Sequence, residues 1–379
     1  MLFRQSHAIE RVARASLRPA GGSAPPGTIS LAQGEPDFPT PAPIVDALDR
    51  AVRDGYTRYG DMNGDPELRE AIAETATRIS GTPYSGEAVL VTHGGAAAIT
   101  AAILATVDPG DRVVIPEPTY SLYPDAVELA GGQPVFVPSQ PDHHLDFDRL
   151  EAALDQARMI VLCNPVNPTG AVFGATELER LGECLAGTDT LLLADEAYAD
   201  IVYDGRPFTS TLAVQSLRER LIYVQTLSKT YAMTGWRVGY VVSAEPIAAS
   251  IRRVHRTMNS SVNAAVQRAA LAAIRLGPDL AAPMLAAYQD RRDYLMARIS
   301  RMERLDANRP DGAFYYFARY ASALPAKVVS ERLLAGGVAV RSGAEFGPSG
   351  QGHFRLSFAA SMEHLEEGLD RIEAVLDTL

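Results

Sequence analysis

Lys229 is the residue in this chain whose surroundings point most directly to chemistry. It lies in LIYVQTLSKTYAMTGWRVGY, residues 221–240, between two apolar runs, Leu221–Val224 and Val238–Val242. The runs are short and rich in β-branched residues, which predicts two buried strands with the lysine in the polar segment between them. A lysine at the mouth of an apolar core loses part of its hydration, and this favours the neutral amine. The neutral amine attacks carbonyl carbon and forms a Schiff base. A loop lysine can equally snorkel into solvent with no such task, so other residues must decide. Four candidates stand in comparable places: Gly94-Gly95 after AVLVTH, Asn167 after MIVLC, Asp195 after TLLLA, and Arg237, eight positions beyond the lysine.

The elements that must hold these groups alternate along the chain. VLV, RVVIP, QPVFVP, MIVLC and TLLLA read as strands. Helices are expected at Pro43–Asp54, Pro66–Ile79 (with Asp65 as N-cap), the apolar run after the glycine pair, SLYPDAVELAG, Leu150–Ala157, Glu177–Ala186, Val262–Leu276 and Leu280–Met302. Such alternation implies an α/β fold: a mostly parallel sheet sandwiched by helices, with ligands bound beyond the carboxyl ends of the strands. The glycine pair, Asn167, Asp195 and Lys229 all fall there. Beyond residue 302 the order changes to strand GAFYYFARY, helix Ala326–Ala335, strand HFRLSFA and a terminal helix from Met362. This predicts a smaller α+β domain, completed by an N-terminal arm whose basic amphipathic helix within 1–20 ends at Pro19 and the Gly/Pro-rich loop 21–27. The expected division is 1–30 for the arm, 31–285 for the large domain and 286–379 for the small one.

Bulk properties narrow the function further. The chain has 379 residues and a formal net charge of −11, which argues against a general nucleic-acid binder. Cys163 and Cys184 form no CxxC pair, and the charged N-terminus lacks a signal-peptide core. No apolar run approaches the roughly 20 residues a membrane span needs. A cytoplasmic protein with neither membrane nor nucleic-acid partners is expected. Walker, GxGxxG, GxSxG and HExxH patterns are absent from the sequence, and adjacent His143-His144 cannot chelate a metal from one regular element. No metal is expected.

The candidates match the demands of an aldehyde cofactor that carries a pyridine ring and a phosphate. The lysine would hold the aldehyde, and a buried carboxylate would keep the ring nitrogen protonated so that the ring acts as an electron sink. Amides at a helix start plus a cation would hold the phosphate. At this point GEPDF (34–38), NPVNPTG (164–170), ADEAY (194–198), SKTYAMTGWRVGY (228–240) and FRLSFA (354–359) come into view together, in order and over nearly the whole chain. The chain resembles fold-type I, pyridoxal-phosphate-dependent aminotransferases, class I/II, of the aspartate aminotransferase superfamily. The resemblance implies pyridoxal 5'-phosphate on Lys229, which is also the proton shuttle, with Asp195 paired to the ring nitrogen. It implies Tyr198 and Asn167 on the ring oxygen and Tyr120 stacked on the ring. Gly95, Ala96, Thr226 or Ser228, and Arg237 would bind the phosphate, with Tyr59 reaching the phosphate of a partner subunit. Arg355, aided by Asn167 and the Gly34 amide, would clamp the substrate α-carboxylate. A homodimer with shared active sites follows, the loop 257–263 also crossing the interface, and so does ping-pong transfer of an amino group between an L-amino acid and a 2-oxo acid. The same site supports a lyase, a decarboxylase or an oxidase as the alternative. Three departures stand out. Ala96 and Ala97 replace the hydroxyl or lysine that many relatives carry, Tyr120 stands where some use tryptophan, and the arm between Ser16 and Ile29 is short. No second arginine is clearly placed in the sequence to read a side-chain carboxylate, which argues against strict aspartate specificity.

Overall fold

The computed structural model describes residues 3–17, 24–306 and 308–379. Its strands, in chain order, are β1 (Ile29–Ser30), β2 (Val89–Thr92), β3 (Arg112–Glu117), β4 (Gln133–Pro138), β5 (Ala157–Cys163), β6 (Leu191–Asp195), β7 (Leu221–Thr226), β8 (Gly239–Ser243), β9 (Leu305–Asp306), β10 (Tyr315–Tyr320), β11 (Val338–Ala339), β12 (Arg341–Ser342) and β13 (His353–Ser357). Seven form one sheet in the order β2-β8-β7-β6-β5-β3-β4. Within it only β8 is reversed, antiparallel to both β2 and β7. The sheet is buried on both faces because successive residues feed opposite cores. Leu192, Ala194, Tyr240 and Val242 enter one apolar cluster, while Leu193, Ile222, Val224 and Val241 enter the other.

The helices that flank the sheet begin and end on local signals. Helix Pro66–Ser80 starts on Asp65, whose carboxylate accepts the Glu67 and Leu68 amides, and stops at Gly81 with φ of 70°. Helix Gly94–Thr106 is apolar and small on nearly every side, because it packs between the sheet and helices Leu122–Ala130 and Glu245–Asn259. The second body gathers its own core around the antiparallel sheet β12-β13-β10-β9 and helices Ala282–Ile299, Ala326–Ala335 and Met362–Leu376. Strand β1 joins it through a parallel pairing with β11.

The structure departs from the sequence reading in four places. The helix expected at Leu150–Ala157 is Phe147–Leu154, since Asp146 caps it early and Gln156, with φ of 56°, turns the chain into β5. Helix Glu245–Asn259 was not anticipated at all. Its buried stripe of Ala248, Ile251 and His255 is narrow and partly polar, so the apolar periodicity is faint. The long helix expected from Leu280 begins as a 3-10 turn, Pro278–Ala281, and becomes α-helical at Ala282, which places Pro283 in the first turn where its missing N–H costs nothing. The N-terminal helix is His7–Ala15, and it lies against helix Leu122–Ala130, where Arg11 donates to the Glu128 carbonyl at 3.1 Å. Its expected end at Pro19 and the first part of the loop after it lie outside the described residues. Among the described residues no single helix is long and apolar enough to cross a membrane, and no group of three His, Cys, Asp or Glu side chains is arranged to hold a metal ion.

Candidate active site

The carboxyl ends of β5, β6 and β7, together with the start of helix Gly94–Thr106, open onto a cavity of about 390 Å³ that the second body closes from above. Lys229 stands in the one-turn helix Leu227–Thr230 that follows β7. Its Nζ donates to the Gly34 carbonyl at 2.6 Å. Burial lowers its pKa to about 8, a shift opposed by Glu35 and Asp195 and assisted by Arg355 and Arg237. The amine is therefore half neutral near pH 8, where an ordinary lysine would be almost wholly charged, and the neutral form is the nucleophile.

Asp195 is the last residue of β6 and is buried. Its carboxylate accepts the Tyr123 hydroxyl at 2.8 Å and the Ala197 amide at 3.1 Å. Burial raises its pKa, against the pull of these donors and of Lys229. A carboxylate so placed is well served by a cationic partner in the cavity.

One end of the cavity is built from backbone. Gly94, with φ of +79°, opens helix Gly94–Thr106, whose first amides have no intrahelical acceptors. A Cβ on Gly94 would stand 2.7 Å from an Arg237 terminal nitrogen, and one on Gly239 would stand 2.8 Å from the Gln225 carbonyl oxygen and 3.0 Å from the Gly94 carbonyl carbon. Both glycines therefore serve close approach. Arg237, itself left-handed at φ of 54°, donates to the Thr234 carbonyl at 2.8 Å. The Thr226 hydroxyl donates to the Ser228 hydroxyl at 2.9 Å. Amides, hydroxyls and a guanidinium converge here as an anion cradle.

The other end is built from side chains. Arg355, on β13, is buried and donates to Asn167 Oδ1 at 2.9 Å and to the Ala32 carbonyl at 2.6 Å, while its Nε has no partner. Its guanidinium lies 4.2 Å from the centre of the Tyr315 ring and 5.0 Å from that of Phe346. Arg341, on β12, is in register with Arg355, so the two side chains stand on one face of the small sheet. Arg341 forms an ion pair with Glu345. Burial raises the Glu345 pKa, and Arg341 opposes the shift. Tyr198 and Tyr315 share a hydrogen bond of 2.7 Å between their hydroxyls.

The cavity gathers Lys229, Asp195, Tyr198, Asn167, Tyr120, Gly95, Ala96, Thr226, Ser228, Arg237, Arg355 and Gly34. Tyr59 is not among them; it is 92 % exposed. The sequence reading missed Tyr123, Tyr315, Arg341 and Glu345. Arg341 is a second arginine in the cavity wall, one the sequence reading did not single out. Its signal was present in VAVRSGAEFG, but only the pairing of β12 with β13 shows that it stands beside Arg355.

A sheet of this order with a lysine, a buried carboxylate and an anion cradle at its carboxyl edge suits chemistry on an amino group, and the comparisons give the class. The model of the family Aminotransferase class I and II matches residues 26–372, and the chain belongs to that family. It is an aminotransferase, exchanging an amino group between an amino acid and a 2-oxo acid. A bifunctional aspartate aminotransferase and glutamate/aspartate-prephenate aminotransferase of Petunia hybrida is 36% identical over 370 residues, covering 93% of this chain and 77% of the relative. A probable aspartate/prephenate aminotransferase of Thermus aquaticus is 37% identical over 356 residues, covering 92% and 91%. The crystal structure of an aromatic aminotransferase from Pyrococcus horikoshii OT3 superposes with a TM-score of 0.91 at 34% identity, covering 98% of this chain and 99% of that one.

Proposed function

We propose that this aminotransferase works with pyridoxal 5'-phosphate joined to Lys229. The observation that carries the reading is the Lys229 amine, lowered to about 8 by burial, in one cavity with a buried carboxylate at one side and an amide-lined anion cradle at another. The residues fit the group. Gly95 and Ala96 amides, Thr226, Ser228 and Arg237 suit the phosphate, Asp195 suits a protonated ring nitrogen, and Tyr120 offers a ring face at the cavity wall. When bound, this cofactor takes up the electron pair left by the breaking Cα–H bond and carries the amino group between the two half-reactions.

The protein's own groups do the rest. Arg355 receives the substrate α-carboxylate as a fork, and its partner Asn167 keeps the guanidinium plane fixed. Once the substrate's amino group has taken its place, the freed and neutral Lys229 amine removes the α-proton and later gives it back. Tyr198 donates its hydroxyl proton into the cavity. Substrates enter one after the other at this single site, which gives ping-pong kinetics. Arg341, beside Arg355, supports dicarboxylic amino acids among the donors, in keeping with the aspartate named for several relatives.

The reading extends to a cytoplasmic homodimer, in which the exposed Tyr59 reaches the partner's phosphate and the loop 257–263 crosses the interface. It also keeps the division into 1–30, 31–285 and 286–379, supported by the separate apolar cluster that the tail sheet gathers with its helices. The test starts by adding pyridoxal 5'-phosphate to the purified protein. A visible absorption band is expected, and borohydride should fix the cofactor's mass onto the chain. Lys229→Ala should lose both. Aspartate should then bleach the band with one equivalent of 2-oxo acid and no ammonia. Ammonia release without any 2-oxo acid acceptor would overturn transamination in favour of a lyase or an oxidase.

A further inference from the structure

The hydroxyls of Tyr198 and Tyr315 are 2.7 Å apart, and both side chains are buried. A gap of that length holds one proton, so one hydroxyl donates and the other accepts. Tyr315 has little choice of direction. A Cβ built on Gly34 would run into the Tyr315 hydroxyl oxygen, so the Gly34 Cα closes that side with a group that accepts nothing. The Tyr315 proton therefore belongs in the gap. Tyr198 accepts it, and the Tyr198 proton is left to point into the cavity.

Arg355 strengthens this assignment. Tyr315 on β10 pairs with Ser357, and Phe317 pairs with Arg355, so Tyr315 and Arg355 are diagonal neighbours on one face. The guanidinium, 4.2 Å from the Tyr315 ring centre, withdraws charge from that phenol first and makes it the better donor of the two. The geometry is also stiff. Tyr198 stands edge-on to Tyr315 at 5.6 Å and to Phe314 at 5.4 Å, and Phe314 lies 4.9 Å from Tyr315.

We propose that Tyr315 is a positioning residue that fixes the direction of the Tyr198 hydroxyl proton and couples it to whether the Arg355 guanidinium is paired with a carboxylate. A carboxylate that docks on Arg355 cancels the pull on Tyr315, weakens its donation to Tyr198, and so changes how strongly Tyr198 donates into the cavity. Docking at one end of the cavity is thereby felt at the cofactor's ring without movement of the backbone. The inference rests on the cofactor reading above.

The test is a spectroscopic pH titration of the cofactor-loaded protein. With Tyr198 donating more weakly, the ring oxygen is less stabilised as an anion, so Tyr315→Phe should shift the midpoint of the visible band upward by about half a pH unit. Added succinate should shift the midpoint in the unchanged protein and shift it less in Tyr315→Phe, and by reciprocity the pH dependence of succinate affinity should flatten by the same factor while the melting temperature stays the same. In a Tyr198→Phe background the second change should add nothing, since the relay ends there. A midpoint that Tyr315→Phe leaves unmoved would overturn the inference and leave the cofactor reading standing. Absence of any titrating band in the unchanged protein would overturn both. If Tyr315→Phe does not fold, 3-fluorotyrosine at 315 keeps the shape and donates more strongly. The midpoint should then fall, and a rise or no change refutes the relay.

Discussion

The two ends of the cavity are made from different materials. The anion cradle is backbone: two glycines, the first amides of a helix and a left-handed arginine, all within the large sheet's own connections. The carboxylate end is side chain: Arg355, Arg341, Tyr315 and Glu345, carried in by three short strands and a turn of the second body. Backbone is positioned by the fold itself, so the amides of the first end keep their places, with the Arg237 guanidinium and the Thr226 and Ser228 hydroxyls added beside them. The second end depends on charged groups that must be held apart from each other and from water. Those groups are where specificity can vary while the chemistry stays fixed.

Four experiments sharpen that contrast, and the largest effect is expected at the side-chain end. Arg355→Ala removes a buried fork and leaves a substrate carboxylate unpaired, at a cost of about 4 kcal/mol, so kcat/KM should fall by roughly a thousandfold while cofactor affinity is unchanged. Arg341→Met, at a partly exposed and ion-paired site, should cost only about tenfold, and only for dicarboxylic donors; an equal loss with alanine would remove Arg341 from substrate reading. At the backbone end, Gly94→Ala forces a strained φ and a Cβ 2.7 Å from the Arg237 guanidinium. It should weaken cofactor binding by about thirtyfold at equilibrium dialysis, with the KM for amino acids nearly unchanged. The last effect is one of pH. A lysine whose pKa is lowered to about 8 is protonated below that value and neutral above it. The rate at which cofactor-free protein captures pyridoxal 5'-phosphate should therefore climb about tenfold per pH unit up to pH 8 and level off beyond it. A rate still climbing at pH 10 would show an ordinary, solvated lysine.

The same contrast explains what the sequence made legible. The backbone end is local: a glycine pair after an apolar run, and Arg237 a few residues past Lys229, can be read along the chain because strand ends and helix starts leave marks in composition. Asp195 and Asn167 were readable for the same reason. The side-chain end is not local. Arg341 looks like any exposed strand residue until β12 pairs with β13, and Tyr315 looks like core until its hydroxyl meets Tyr198. Helix Glu245–Asn259 escaped for a third reason: a stripe of alanine, isoleucine and a buried histidine is too thin to show beside three arginines in fifteen residues. Pairing and packing hold that information, and periodicity does not.

One short segment ties both bodies together. Leu31 bonds to Ala339 and Ser357, Ala32 accepts from Arg355, Gly34 accepts from Lys229, Asp37 holds Arg291 with two bonds of 2.7 and 2.8 Å, and Thr40 donates to Ala232. The reactive amine is thus also the clasp in the middle of this strap. An amine that gives up a proton has one fewer to lend, so the tie to Gly34 and the readiness of Lys229 as a nucleophile draw on the same N–H bonds.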